Sequence, residues 1–578
     1  MPRVWIDNAE VEVEPGATLL EAARKLGLDV PALCSWPGQP ACTSCMVCVM
    51  SVDGRLVPSC ATPASDGLRA QSQAEPVLAA RRSAIELLLS EHAGDCVGPC
   101  QSVCPAGMDI PRMIRQIAAG DLGGALRTVK QRIALPAVLG RICPAPCEKG
   151  CRRGQVGDPV AIMLLKRHVA DADLAAPVRV PQRAPATGRR VAVVGAGPAG
   201  LAAAYYLLQD GHAVELLDDH DQPGGALRHA VEPERLPPAV LDAEIDIIRR
   251  LGASFRLGVR VGRDVGLDDL RRQFDAVVLA VGGAGIPLPA EQLDEKGRPR
   301  QPLRPGVFAA GDPTHKGRMT VRAVAGGRAA AVAVSQYLPR STGVPPVGIA
   351  GVPPVGSTGV PPVGIAGVSP AGVREFSCRI GFLKQDEFDR FLARASLEPR
   401  QAPGVAGVSP ASGGEGSEGA VVAPVAQPFQ AVQAQAGKPV PPGASAAEPP
   451  GYTDDQARSE AARCLKCDCL RADDCRLRQA AQALGAKPAR YKGQRRSYEL
   501  DDSHPDVVYE SGKCILCGLC VQIARDAGEE LGLALGGRGF ATKVAVPFGR
   551  PLAEGLRRCA AQCVAACPTG ALAFKRRT

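Results

Sequence analysis

The chain carries 22 cysteines, and all but Cys378 fall into short-range groups that constrain its folding more than any other feature. The first group is Cys34, Cys42, Cys45, Cys48 and Cys60. The second is Cys96, Cys100 and Cys104 with Cys143, Cys147 and Cys151. The third is Cys464, Cys467, Cys469 and Cys475, and the fourth is Cys514, Cys517 and Cys520 with Cys559, Cys563 and Cys567. Thiolates so spaced hold metal, and several of these spacings suit iron–sulfur clusters better than zinc. A glycine-rich nucleotide loop lies between the second and third groups. Together they predict a flavin connected to one-electron carriers.

A chain of 578 residues exceeds one core, so several domains are expected. With 3% aromatic residues, 65 Gly and 52 Pro, these are small domains joined by irregular chain. The net charge of +9 is spread along the sequence rather than clustered, which argues against nucleic-acid binding. A secreted disulfide protein is opposed by the length, the metal-ligand spacings and the absence of a signal peptide. The apolar stretch 191–208 contains Gly195, Gly197, Pro198 and Gly200, so it reads as strand, loop and helix rather than a membrane span. A reducing, cytoplasmic compartment follows.

The fold class expected is multidomain, mixing α+β and α/β units. Residues 1–75 start with a hairpin (Val4, Ile6, Val11, Val13) and a helix capped by Thr18, then a cysteine loop, as in a β-grasp ferredoxin domain. Residues 76–175 form a helical cluster-binding domain, with helices over 83–91 (Ser83 as cap), 110–132 and 161–170. Residues 186–340 begin as a βαβ unit: strand 190–194, helix 201–209, strand 213–217, with further strands over 276–281 and 307–310. Pro/Gly repeats mark 341–373 and 398–450 as flexible linkers around a short structured island at 374–397. A cysteine-rich segment (451–495) and a ferredoxin-like domain (505–578) complete the chain.

Cys34, Cys45, Cys48 and Cys60 provide three thiolates from one loop and one from a returning strand, as a [2Fe–2S] cluster requires; Cys42 is then a bystander. The stretch 33–63 resembles the N-terminal ferredoxin domain of NADH dehydrogenase large iron–sulfur subunits and iron hydrogenases. Cys104-Pro105-Ala106-Gly107-Met108-Asp109-Ile110-Pro111 and Leu139-Gly140-Arg141-Ile142-Cys143-Pro144 resemble the helical domain of glutamate synthase small subunits, also found in dihydropyrimidine dehydrogenase. That resemblance implies two [4Fe–4S] clusters: one on Cys96, Cys100 and Cys151, the other on Cys104, Cys143 and Cys147. It also shows two departures. The usual cysteine before Cys96 is missing, with His92 the natural substitute, and the family's other fourth-ligand position is Lys166. Cys464, Cys467, Cys469 and Cys475 can hold a further [4Fe–4S] cluster or a zinc ion. Cys514, Cys517 and Cys520, closed by Cys567-Pro568, are the bacterial ferredoxin run. Ala524 replaces the cysteine for a second cluster, so Cys559 and Cys563 are insufficient alone. Two to four [4Fe–4S] clusters are expected in all.

In the nucleotide loop, Gly195, Gly197, Pro198, Ala199 and Gly200 join a strand to a helix N-terminus, where a pyrophosphate can approach the backbone. Asp218, with Asp219 as alternate, closes the next strand where a carboxylate holds ribose hydroxyls. The 306–312 segment, with Gly311 and Asp312, resembles the second flavin motif of two-dinucleotide-domain flavoproteins. Gly225, Leu227 and Arg228, with Arg235-Leu236-Pro237, match the glutamate synthase small-subunit family. The resemblance implies FAD. In that family an NAD(P)H domain lies between the two flavin motifs. Here the interval near 283–305 is too short to hold one, so that domain is expected to be deleted.

The expected function is an iron–sulfur flavoprotein oxidoreductase subunit. It passes electrons between FAD and its clusters to a redox partner such as a hydrogenase, dehydrogenase or glutamate synthase-like large subunit. No separate acid–base or nucleophilic catalytic set stands out. The alternatives are an NAD(P)H-dependent reductase of the glutamate synthase small-subunit type and a non-catalytic metal-bearing scaffold.

Overall fold

The computed structural model describes residues 1–176, 180–282, 302–311, 319–338, 385–392, 400, 451–491, 494–496 and 499–575. The expected linkers, Cys378, Asp312 and the interval expected to have lost a nicotinamide domain lie wholly or mostly outside them. Of the island, only the helix Gln385–Leu392 is described.

The N-terminal unit is a five-stranded mixed sheet. Arg3–Ile6 pairs antiparallel with Ala9–Glu12 and parallel with Arg69–Gln71, which adjoins Val49–Val52 and then Arg55–Pro58. Val4, Ile6, Val11 and Val13 are buried against Leu19, Leu20 and Ala23 of the helix Leu19–Lys25, as their alternation requires. Thr18 caps that helix in a reciprocal box with Glu21.

The next helix runs over Glu75–Glu91, starting before the expected Ser83, because Pro76 sets its first turn. It ends at His92. The expected 110–132 helix is two helices, Ile110–Ala118 and Leu122–Lys130. Gly120 turns at φ +75°, and Asp121 recaps the chain through Gly124 N–H. Helices Pro136–Ile142 and Ile162–Ala175 complete this unit and share one core with the nucleotide unit.

The nucleotide unit is an all-parallel sheet. Its central strand Arg190–Val194 lies between Ala213–Leu217 and Ala276–Leu279, with Ser254–Arg256 and Val307–Ala309 at the edges. The strand order reverses beside Arg190–Val194, so the crevice at its carboxyl end is the expected ligand position. The last helix, Thr320–Tyr337, packs on the helix Pro198–Gln209 through Gly327, where any Cβ would collide with the Ala199 carbonyl.

Segment 451–491 does not form a domain of its own. Its helix Asp454–Ala462 packs on Ile110–Ala118, and its helix Arg476–Ala483 packs on Glu75–Glu91. The C-terminal unit pairs Val507–Glu510 with Leu572–Phe574 and Leu500–Asp501 around the helices Leu519–Asp526 and Ala560–Ala566. Among the described residues no helix is long and apolar enough to cross a membrane.

Candidate metal centres and nucleotide site

Backbone conformation marks the cysteine loops before any sulfur is considered. Thr43, Met46, Ala145, Lys466 and Leu516 all have positive φ without being glycine, and each lies between two cysteines of one group. Such conformations cost on the order of 1–3 kcal/mol each and persist only where the surroundings demand them. Here they turn amides toward sulfur: Leu516 N–H donates to Cys514 Sγ at 3.3 Å, and the amides of Lys466 and Val47 point at Cys464 and Cys45.

Of the described cysteines, all but Cys42, Cys559 and Cys563 gather into five sites. Cys34 contacts Cys45 and Cys60, and Cys48 contacts Cys60, so the four expected [2Fe–2S] ligands meet. Cys514, Cys517, Cys520 and Cys567 line one hollow, as expected for the ferredoxin run. Cys104, Cys143, Cys147 and Lys166 line another.

The other two sites differ from the expected grouping. Cys96 lies within electrostatic reach of Cys469 and Cys475 of the third group. His92 belongs to the same place: the Lys513 stem packs between it and Cys469, in space left by Gly94 and Gly570. A Cβ on Gly94 would lie 2.9 Å from Lys513 Cε and 3.1 Å from His92 Nε2, and one on Gly570 would collide with Cys469 Sγ. Cys100 and Cys151 meet Cys464 and Cys467 instead. The third cysteine group is therefore divided between two neighbourhoods, each shared with cysteines from before the nucleotide unit.

Several contacts fix this division. Arg152 pairs with Asp95 at 2.6 Å and reaches Cys467. Glu460, fully buried and paired with Arg463 at 2.6 Å, accepts the Ala161 amide at 2.8 Å and so caps the helix carrying Lys166. Cys42 lies between two sites, close to Cys34 and to Cys517. Cys559 and Cys563 are buried, with sulfurs 3.8 Å apart, beside the Cys520 carbonyl.

The donor chemistry fits clusters. Among the described residues, no three cysteine sulfurs lie within 4.8 Å of one another. A single tetrahedral zinc on cysteines, with Zn–S near ~2.3 Å, needs a tighter set. His92 is half-buried with a buried Nδ1 that has no hydrogen-bond partner, and desolvation of its ring beside Lys513 pushes its pKa down to about 4, keeping a neutral imidazole available as a ligand.

In the nucleotide crevice, Gly195 turns at φ +104°, where a Cβ would sit 2.5 Å from the Ala280 carbonyl. Gly200 lets the following helix close on the Gly195 carbonyl, whereas a Cβ on Gly197 would meet nothing within 4 Å: that face is open for a phosphate. Asp218 accepts the Ala196 amide at 2.6 Å and His220 Nδ1 at 2.8 Å, which anchors the loop to the end of the second strand. Gly225 approaches Gly197, and Leu227 is buried below it. Arg228 is committed to Asp242 and the Pro223 carbonyl. Pro198 and Ala199 open the helix, and Gly311 receives Gly326 of the last helix so closely that a Cβ on Gly326 would lie 2.7 Å from its amide. The Gly326-Gly327 pair carries its own sequence signal, because adjacent glycines within a helix mark close packing.

Comparison with known proteins agrees with these units. Residues 3–75 match the family model described as a 2Fe-2S iron-sulfur cluster binding domain. Residues 89–177 match dihydropyrimidine dehydrogenase domain II, 4Fe-4S cluster, and residues 193–256 match an NAD(P)-binding Rossmann-like domain. The chain is 42% identical over 206 residues to the NADP(+)-dependent formate dehydrogenase subunit beta of Moorella thermoacetica, covering 32% of this chain and 29% of that protein. It is 36% identical over 211 residues to the NAD-dependent dihydropyrimidine dehydrogenase subunit PreT of Salmonella typhimurium (35% and 51%), and 38% identical over 207 residues to the glutamate synthase [NADPH] small chain of Mycobacterium tuberculosis (35% and 42%). The chain thus spans between about a third and a half of the length of these relatives, which are oxidoreductase subunits. It carries 2Fe-2S and 4Fe-4S cluster-binding domains and a Rossmann-type dinucleotide-binding domain.

Proposed function

We propose that the chain is an electron-transfer subunit in which FAD, in the crevice around Gly195–Gly200, exchanges electrons with a line of five iron–sulfur sites. The observation that carries the reading is the succession of contacts between sites. The hollow of Cys104, Cys143, Cys147 and Lys166 is also lined by Val321, on the helix that touches Gly311 in the flavin crevice. Cys147 lies near Cys100 of the next site. Cys467 and Cys469, with one residue between them, serve successive sites. Cys475 lies near Cys567. Cys517 lies near Cys42, which lies near Cys34. The order that results is flavin, three-cysteine site, two split sites, ferredoxin-run site and [2Fe–2S] site.

When bound, FAD supplies the two-electron step and the clusters the one-electron steps. The residues position them. The glycines admit the pyrophosphate, Asp218 holds the loop and would accept from a ribose hydroxyl, and the sulfur-directed amides stabilise thiolates and raise cluster potentials. The strand Ala276–Leu279 pairs directly with Val307–Ala309, in keeping with two halves of a flavin domain joined without a nicotinamide domain between them. Electrons then enter and leave through partner subunits of the dehydrogenase, hydrogenase or glutamate synthase kind. Thiolate sites of this type suit a reducing cytoplasmic compartment.

The test is anaerobic titration of the purified chain. The reading expects flavin absorbance, several reduced-cluster EPR signals, and no prompt flavin bleaching by NADH or NADPH without a partner. Prompt bleaching would favour the NAD(P)H-dependent reductase instead; a colourless, zinc-loaded protein would overturn both.

A further inference from the structure

Between the His92 site and the ferredoxin-run site lies a buried cation. Lys513 is 4% exposed, immediately precedes the ligand Cys514, and has its carbonyl fixed by Thr569 Oγ1 at 2.9 Å. Its stem threads past Gly94 and Gly570, with His92 on one side and Cys469 on the other. The backbone holds the two units together here, since Ala93 N–H donates to the Gly512 carbonyl at 2.8 Å. Glu510, also buried, pairs with the ammonium. Arg471, a cation that also flanks Gly570, is occupied by Asp474 and the carbonyls of Val564 and Cys567.

A buried charge acts on a neighbouring cluster through a low dielectric, where little water screens it. Reduction adds one negative charge to a cluster, so a cation at its edge favours the reduced form and an anion opposes it. The Lys513 stem flanks Gly570 beside Cys469 Sγ, and its Cε flanks Gly94 beside His92 Nε2, whereas Glu510 is among the nearest neighbours of neither glycine. The pair therefore presents its positive end to this site.

We infer that Lys513 is a potential-setting residue: its ammonium raises the reduction potential of the cluster held by His92, Cys96, Cys469 and Cys475, and Glu510 moderates that effect. The inference rests on the five-site reading. It makes this site the resting place for electrons between the flavin half of the line and the [2Fe–2S] end.

The test is EPR-monitored redox titration of the full chain, prepared anaerobically, with iron counted in every variant. H92C identifies the signal, because a thiolate in place of imidazole changes one cluster only. K513Q is expected to shift that signal's midpoint to lower potential, E510Q to higher potential, and K513R to leave it near the native value, with the [2Fe–2S] midpoint fixed throughout. If H92C moves no signal, the assignment of the site fails. If H92C moves a signal but K513Q and E510Q leave its midpoint in place with iron content intact, the Lys513 inference fails and the assignment stands. Should K513Q lose iron, the opposite shifts demanded of E510Q and K513R decide the matter, and their absence overturns the inference.

Discussion

Arg115 donates to both carboxylate oxygens of Asp468, at 2.9 and 3.1 Å, across 353 residues of sequence. Asp468 sits between the ligands Cys467 and Cys469, so this pair clasps the late cysteine segment to the early helical unit. Its carboxylate is almost fully buried while Arg115 retains some exposure. R115A removes this partner from a buried anion and is expected to cost on the order of 3 kcal/mol of stability. The two split sites should lose iron to a chelator faster than in the native chain, while the [2Fe–2S] site, distant from the clasp, keeps its EPR signal. Timed chelation with visible absorbance checks this.

Glu244 gives a pH signature. It lies buried in the helix Pro238–Arg250 and accepts the amides of Ala137 and Val138, thereby capping the helix that leads to Cys143. Burial pushes its pKa up from 4.5 to about 7, so the folded protein binds its proton more tightly than the unfolded chain. The contribution is present in full below about pH 4.5 and is lost as pH rises toward about 7, to the extent of about 3 kcal/mol. E244Q should flatten that part of the stability-versus-pH curve. Denaturant unfolding at several pH values, native against variant, measures the difference.

Lys166 faces three cysteines where the other [4Fe–4S] candidates have four thiolates or three and an imidazole. A three-thiolate cluster carries less negative charge and one less strongly held iron. Mild oxidation of the native chain is expected to produce the EPR signal of a three-iron cluster. K166C should suppress that signal and lower the potential of the site, because a fourth thiolate adds negative charge. An equal three-iron signal in both proteins would count against an open corner at Lys166.

The sequence shows some of these sites far better than others, for a physical reason. Cys34 to Cys60 and Cys514 to Cys567 each lie within one folding unit, so local spacing defines the ligand set. The strands of the nucleotide unit were equally legible, because buried parallel strands read as apolar runs. The split sites are long-range objects. In the proposed assignment, His92 and Cys96 join Cys469 and Cys475 because the segment after the nucleotide unit returns to pack on the helices before it. A ligand count contained the clue: His92/Cys96 and Cys100/Cys151 each lack two donors, and Cys464/Cys467 and Cys469/Cys475 each supply two. The start of the Glu75–Glu91 helix was missed because Ser83 has cap chemistry but no chain break, whereas Pro76 fixes the true first turn.

In the proposed arrangement the flavin unit is embedded within two metal sites, each made from residues on both sides of it. Iron counting in C96S, C469S and the double variant tests it most directly. If Cys96 and Cys469 hold one cluster, each single variant loses about four irons and the double variant also loses about four, with the same EPR signal missing in all three. A loss of about eight irons in the double variant, with a different signal missing from each single variant, would contradict it.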